Sequence, residues 1–311
     1  MNSVLQTQPA KDQESEAIAR FMTGFSVETT PTAAAKMSDF RTILRPGTAV
    51  SVTFLPGADY RDSVAAAKRL REQGFHPVPH FAARSLASPE QFKDYLERAV
   101  GEADVNAVLA IAGGVEKPLG PYASSMDLLE SGLFDKHDIT SIGVAGHPEG
   151  SPDISDEAIR EAISWKNAFA QRSDAALHIV TQFCFEAEPI IAWDRRLNAE
   201  GNRLPIRIGI PGIAKLSTLI KYAAACGVGN SIRFLKRQGA GMTNFLSLQA
   251  PDKLVRDLAA YAANDSDCAI EGVHMYPLGG LTKTAKWSYV VADGAIAIRP
   301  DSGFDVAADI G

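Results

Sequence analysis

Glu28, His80 and Gln182 could each do acid–base or hydrogen-bonding chemistry, and each lies in or at the end of a short apolar run. Glu28 follows Phe25-Ser26-Val27, and His80 follows Pro77-Val78-Pro79. Gln182 sits inside Ile179-Val180-Thr181-Gln182-Phe183-Cys184-Phe185-Glu186. A carboxylate carried into a partly dry cleft is held more easily in its protonated form, so Glu28 is a candidate general acid near neutrality. The plainer reading is a strand-end carboxylate paired with Lys or Arg. His80 reads equally as a hydrogen-bonded structural residue, and Gln182 as a core amide satisfied by neighbouring backbone. The six histidines show no HxH or HExxH spacing, so a metal site is not expected.

Three further junctions concentrate polar or permissive residues. Ala110-Ile111-Ala112-Gly113-Gly114 ends a run in paired glycines, which let backbone approach a ligand closely but also make ordinary turns. It lacks the GxGxxG spacing of a dinucleotide fingerprint. Pro121-Tyr122-Ala123-Ser124-Ser125 is read as offering an aromatic face and helix-start amides to a cofactor. Val144-Ala145-Gly146-His147-Pro148-Glu149-Gly150 is a strand-to-loop junction dense in hydrogen-bonding groups.

The elements that must position these groups follow a repeated order. Candidate strands are residues 24–29, 49–55, 76–81, 107–112, 141–146, 178–183, 206–209 and 272–276, with amphipathic helical patterns between them. Residues 61–73 stop at Gly74. Ser88-Pro89-Glu90-Gln91 reads as a capping box, Ser155 as a cap for 156–172, and 215–226 ends at Gly227. A further helix is expected over 251–263, and one over 14–22 closing an end of the fold. The expectation is an α/β chain forming a single (β/α)8 TIM barrel over 21–311, with an N-terminal extension over 1–20. A doubly wound sheet is the lesser option. In such a barrel, chemistry sits at the C-terminal ends of the strands.

At 311 residues and 46% hydrophobic, the chain can bury a full core. A net charge of −6 without basic blocks disfavours nucleic acid or an anionic membrane as a partner. Cys184, Cys226 and Cys268 form no CxxC pair, and no apolar stretch is long enough to span a bilayer. The expectation is a soluble cytoplasmic protein.

Taken in order, these motifs resemble the methylenetetrahydrofolate reductases, flavoenzymes on a (β/α)8 barrel, from about Phe25 to Tyr276. Thr181-Gln182-Phe183-Cys184-Phe185-Glu186 and Ala145-Gly146-His147-Pro148-Glu149-Gly150-Ser151-Pro152-Asp153 carry most of the likeness. Pro211-Gly212-Ile213, Pro79-His80 and Phe25-Ser26-Val27-Glu28 support it. The resemblance implies that Glu28 is the acid assisting opening of the folate imidazolidine ring. It implies FAD contacts at Thr53, His80, Ala112, Gly113, Gly114, Tyr122, Ala123, His147 and Lys166, the last toward a flavin phosphate. It also implies substrate contacts at Gln182, Leu219 and Tyr276.

Two departures stand out. The family's Arg-Gly-Asp after the fourth strand appears here as Ala112-Gly113-Gly114, and the arginine usually found shortly after the C-terminal tyrosine is replaced in a region holding Gly279 and Gly280. An anionic neighbour disfavours reduced, negatively charged flavin, so loss of the aspartate should raise its reduction potential. The reading is therefore an FAD-dependent oxidoreductase interconverting 5,10-methylenetetrahydrofolate and 5-methyltetrahydrofolate, biased to methyl-folate oxidation and poor with NADH, whose use as a donor is left open. Homo-oligomers are compatible with the family. The alternatives are a non-catalytic folate-binding or partner subunit, and a barrel flavoenzyme oxidising another amine.

Overall fold

The computed structural model describes residues 8–226, 248–278, 280–300 and 302–308; the sequence readings that touch 1–7, Gly227 and Gly279 lie outside them. In chain order the strands are β1 (Ser26–Thr29), β2 (Ala49–Val52), β3 (His76–Ala82), β4 (Ala107–Ile111), β5 (Ser141–Gly146), β6 (Ala176–Phe183) and β7 (Ile206–Pro211). They continue with β8 (Ala214–Lys215), β9 (Leu248–Gln249), β10 (Ile270–Tyr276), β11 (Ile296–Ile298) and β12 (Phe304–Val306). The order β1-β10-β7-β6-β5-β4-β3-β2 closes a barrel, while β8 with β9 and β11 with β12 form separate pairs. Closure excludes the open doubly wound sheet. Helices alternate with the barrel strands, giving the (β/α)8 arrangement.

The strands form where β-branched runs can be buried on both faces, as parallel sheets require. Their ends differ from the sequence reading for local reasons. Gly24 lies at φ +70°, outside the extended region, so β1 starts two residues later than the apolar run. β2 stops at Val52, although the Thr53 N–H still donates to the Thr29 carbonyl at 3.0 Å.

Contacts divide the chain into two compact units. In the unit of Ser26–Gly146 and Glu157–Thr181, helix Tyr60–Glu72 begins at Asp59, whose carboxylate accepts the Arg61 N–H. Helix Pro89–Ala103 begins at Ser88, whose hydroxyl accepts the Gln91 N–H at 3.2 Å. The reciprocal half of the expected capping box is displaced by one residue: Gln91 Oε1 accepts from Ala87 at 2.6 Å. Phe81, Phe92, Tyr95 and Phe134 pack ring against ring in this unit.

In the other unit, helix Gln8–Met22 buries Ile18 and Met22 and packs on helices Asp252–Asn264 and Leu281–Ala292. Arg256 ties it down, bonding Glu14 at 2.6 Å and donating to the carbonyls of Arg299 and Gly303 around the β11–β12 pair. The same unit holds a helix, Ala187–Ala199, that is not among the helices expected from the sequence. Pro189 falls in its first turn, where a missing N–H costs nothing. Asp194 lies on its buried face because the Tyr261 hydroxyl donates to it at 2.7 Å. Burial raises the Asp194 pKa, and that hydrogen bond works against the rise. Among the described residues, no helix is long and apolar enough to cross a membrane.

Candidate active site at the strand ends

Strand register sorts the side chains into two faces. Paired residues on neighbouring parallel strands share a face, and so do residues two apart. Glu28 pairs with Ser51, and Ser51 with Val78; two steps further, His80 pairs with Leu109, Leu109 with Gly143, and Gly143 with His178. The opposite set includes Val27, Val50, Val52, Phe81, Val108, Ala110, Ile142, Val144 and Ile179, all fully buried. That aliphatic set is the layer under the helices. The set holding Glu28, Thr53 and His80 therefore faces the barrel interior. A Cβ built on Gly143 would meet Leu109, His178 and Val180, consistent with a filled interior layer.

In the Ser26–Gly146 unit, Glu28 is half-buried on the interior face of β1. Thr53, two residues beyond Ser51, has a buried hydroxyl with no hydrogen-bond partner among the described residues. His80 is buried, and its carbonyl accepts from the Tyr95 hydroxyl at 3.2 Å. Gly113 lies at φ +89°, and a Cβ there would come within 2.9 Å of the Ala82 Cβ, so this turn needs glycine. Gly114 is open, its nearest neighbour being Pro56 Cγ at 3.8 Å from a built Cβ.

The Pro121–Ser125 segment differs from its sequence reading. The Ala123 and Ser124 N–H groups both donate to Asp127 Oδ2, at 2.7 and 2.8 Å, so those amides are already engaged. Tyr122 is buried with its ring edge-on to Phe92, and burial with the nearby Glu90 and Asp127 charges raises its hydroxyl pKa. The Ala123 carbonyl accepts from Arg84 Nε at 2.8 Å.

Lys166 lies on helix Asp156–Ala170 and is 5% exposed, with Nζ 3.4 Å from the Ala145 carbonyl. Burial pushes its pKa down to about 8. Its ammonium is held inside the protein, away from any free surface.

In the unit containing Gln182–Gly311, Gln182 Oε1 accepts its neighbour Phe183's N–H at 3.1 Å, which leaves the amide NH2 as its outward donor. Phe183 meets Phe185 and Tyr276 in edge-on ring contacts, and Tyr276 meets His274. Leu219 is 3% exposed and lies in the apolar cluster with Phe183, Ala214, Leu216, Ala223 and Leu278. Phe185 and Tyr276 are the partly exposed rings against that cluster. The His147 carbonyl closes a turn with the Gly150 N–H. Glu149 from this turn bonds the buried Cys184 thiol, whose pKa is raised well above the usual range, mainly by burial.

Pro211-Gly212 owes its residue types to packing. A Cβ on Gly212 would overlap Thr284 Oγ1 at 2.2 Å and come within 3.0 Å of the Pro277 Cα. Sequence reasoning passed over Arg84, Ser85 and Phe185. For Phe185 the signal was its place in the Gln182 motif. Arg84 and Ser85 carry no sequence signal, since their surroundings depend on strand pairing.

The family model and a curated relative point to one family. The family model described as methylenetetrahydrofolate reductase matches residues 25–276. Methylenetetrahydrofolate reductase 1 of Schizosaccharomyces pombe is 38% identical over 108 residues, covering 34% of this chain and 17% of that protein. Among solved structures, an uncharacterised protein from Clostridium thermocellum that binds two copies of 5-methyl-5,6,7,8-tetrahydrofolic acid superposes with a TM-score of 0.57. It covers 86% of this chain and 94% of its own at 11% identity, a likeness of fold.

Proposed function

Because the chain belongs to the methylenetetrahydrofolate reductase family, we propose that it is an FAD-dependent oxidoreductase interconverting 5,10-methylenetetrahydrofolate and 5-methyltetrahydrofolate in the cytoplasm. The observation that carries this reading is Glu28, a half-buried carboxylate on the interior face of β1. In the reductive direction Glu28 protonates N10 of the folate as the imidazolidine ring opens, and in the oxidative direction it takes that proton back. When bound, the flavin exchanges hydride with the one-carbon unit through N5.

The chain's residues suit that cofactor. The partnerless Thr53 hydroxyl offers a buried hydrogen bond, and the Gly113 turn keeps side-chain bulk out. Thr53, His80, Ala112, Gly113, Gly114, Tyr122, Ala123 and His147 are the positions that would hold it. Gln182 donates its amide NH2 to the pterin, and Tyr276 with Phe185 supplies aromatic surface for the substrate. Gly114, where the family has aspartate, leaves the reduced flavin without an anionic neighbour. That favours methyl-folate oxidation and a donor or acceptor other than NADH.

A second reading rests on the same departure. Loss of charge at Ala112 and Gly114 suits a folate-binding subunit without turnover, although such a subunit has no need of Glu28. An anaerobic visible spectrum of the FAD-reconstituted chain, titrated with 5-methyltetrahydrofolate and separately with NADH, distinguishes them. Bleaching by the methyl-folate is the expected result. Tight folate binding without bleaching would favour the binding subunit.

A further inference from the structure

The positions that the family uses for the flavin contain one cation in this chain, Lys166, and its ammonium is buried against the Ala145 carbonyl. The arginine of the family's strand-four motif is Ala112 here. A cationic side chain is one of the strong partners for a dinucleotide's phosphates. We infer that Arg84 supplies it, binding the flavin nucleotide's phosphate in place of the lost arginine; the inference rests on the flavin reading above.

Three contacts fix Arg84 for this task. The β3–β4 ladder pairs Phe81 with Ala110 and Ala82 with Ile111, and beyond it the Arg84 N–H donates to the Ala112 carbonyl at 2.9 Å. Arg84 is therefore joined to the position where the family's arginine stands. Its own carbonyl accepts the Leu119 N–H at 2.9 Å, which pins the backbone from the other side. The guanidinium is oriented by the Nε bond to Ala123, another cofactor position. Its two Nη groups bond no described residue, so the fork that matches a phosphate is open and its orientation is already set. Next in sequence, Ser85 is 7% exposed and its hydroxyl has no hydrogen-bond partner among the described residues; Thr53 has a second such hydroxyl. An oriented guanidinium whose two Nη groups bond no described residue is a donor fork of the kind that binds phosphate.

The test compares flavin affinities of the full chain and its Arg84→Gln variant, by quenching of flavin fluorescence, with circular dichroism to verify folding. FAD and riboflavin are measured side by side, because riboflavin has the ring without the phosphate. Arg84→Gln should weaken FAD binding roughly tenfold to a hundredfold and leave riboflavin unchanged. Arg84→Lys should keep part of the affinity. Adding Ala112→Arg to the glutamine variant should recover most of it by returning a cation to the strand end.

Unchanged FAD affinity in Arg84→Gln would overturn the inference, as would equal losses for FAD and riboflavin, which would mark a purely structural residue. A loss of 5-methyltetrahydrofolate affinity with FAD untouched would assign the cation to the folate's glutamate carboxylates instead, and also overturn it. Failure of the wild-type chain to bind any flavin would remove the flavin reading itself, and this inference with it. That outcome is recognisable because the wild type, and not the variant, fails.

Discussion

The strand ends of β1–β4 and those of β6, β7 and β10 differ in how far their polar groups engage one another. Around β1–β4 the hydroxyls of Thr53 and Ser85 are buried without partners among the described residues, Gly114 is exposed, and the Arg84 Nη groups bond no described residue. Around β6, β7 and β10 more of the groups engage one another, although the Thr284 hydroxyl is also buried without a partner among the described residues. Gln182 bonds its neighbour's N–H, Glu149 engages Cys184, the aromatic rings pack edge to face, and Thr284 fills the hollow at Gly212. Unsatisfied buried polar groups are costly, so a region that keeps them is organised around something it binds. On the reading proposed above, the first region would hold the cofactor, and the rings of Phe183, Phe185 and Tyr276 in the second would give a substrate an apolar and aromatic face.

The sharpest way to break this contrast is at Glu28. Glu28→Gln should slow the folate half-reaction by about 10²–10⁴-fold while FAD affinity stays unchanged, as stopped-flow bleaching and flavin quenching would record. Equal rates would remove Glu28 as the acid. Next come the glycines, one from each region. Gly212→Ala should cost about 3 kcal/mol or more in thermal or denaturant unfolding, because backbone at Pro277 as well as Thr284 stands in the way. Gly114→Ala should stay within about 0.5 kcal/mol of wild type, since a Cβ there meets nothing closer than 3.8 Å.

Lys166 tests whether a buried, poorly partnered charge sits beneath the strand ends. Its folded pKa of about 8 is below the usual 10.5, so the unfolded chain binds this proton more tightly. Its destabilising effect is complete below pH 8 and is relieved as pH rises from about 8 to 10.5. At about 1.4 kcal/mol per pH unit, Lys166→Met should gain on the order of 3 kcal/mol at neutral pH and flatten stability over that window. Denaturant titrations at several pH values read both effects. The smallest change is expected from Gly114→Asp, which should lower the flavin midpoint potential by on the order of 20–40 mV in a dye-coupled reductive titration. An unshifted potential would separate Gly114 from the flavin.

Much of the fold was legible in the sequence because each barrel strand is a short β-branched or aromatic run bounded by turn residues. Helix Ala187–Ala199 was not, since Pro189 and the buried Asp194 interrupt the apolar pattern, and the Tyr261 partner that makes Asp194 tolerable lies far along the chain. Period-two alternation shows which residues share a face within each strand, whereas the shared face of Glu28 and His80 needs the strand register. The depth of Leu219 and Lys166, the engagement of the Ala123 and Ser124 amides by Asp127, and the role of Gly212 depend on packing that periodicity does not encode. Arg84 is the extreme case, since its significance arises from hydrogen bonds to Ala112 and Ala123, both distant in sequence.

The most direct measurement is anaerobic incubation of the FAD-loaded chain with 5-methyltetrahydrofolate and an artificial electron acceptor, with folate products identified by mass spectrometry. The account predicts 5,10-methylenetetrahydrofolate formed in step with acceptor reduction, one folate oxidised for each two electrons accepted. Bound 5-methyltetrahydrofolate recovered unchanged, with the acceptor still oxidised, would contradict it.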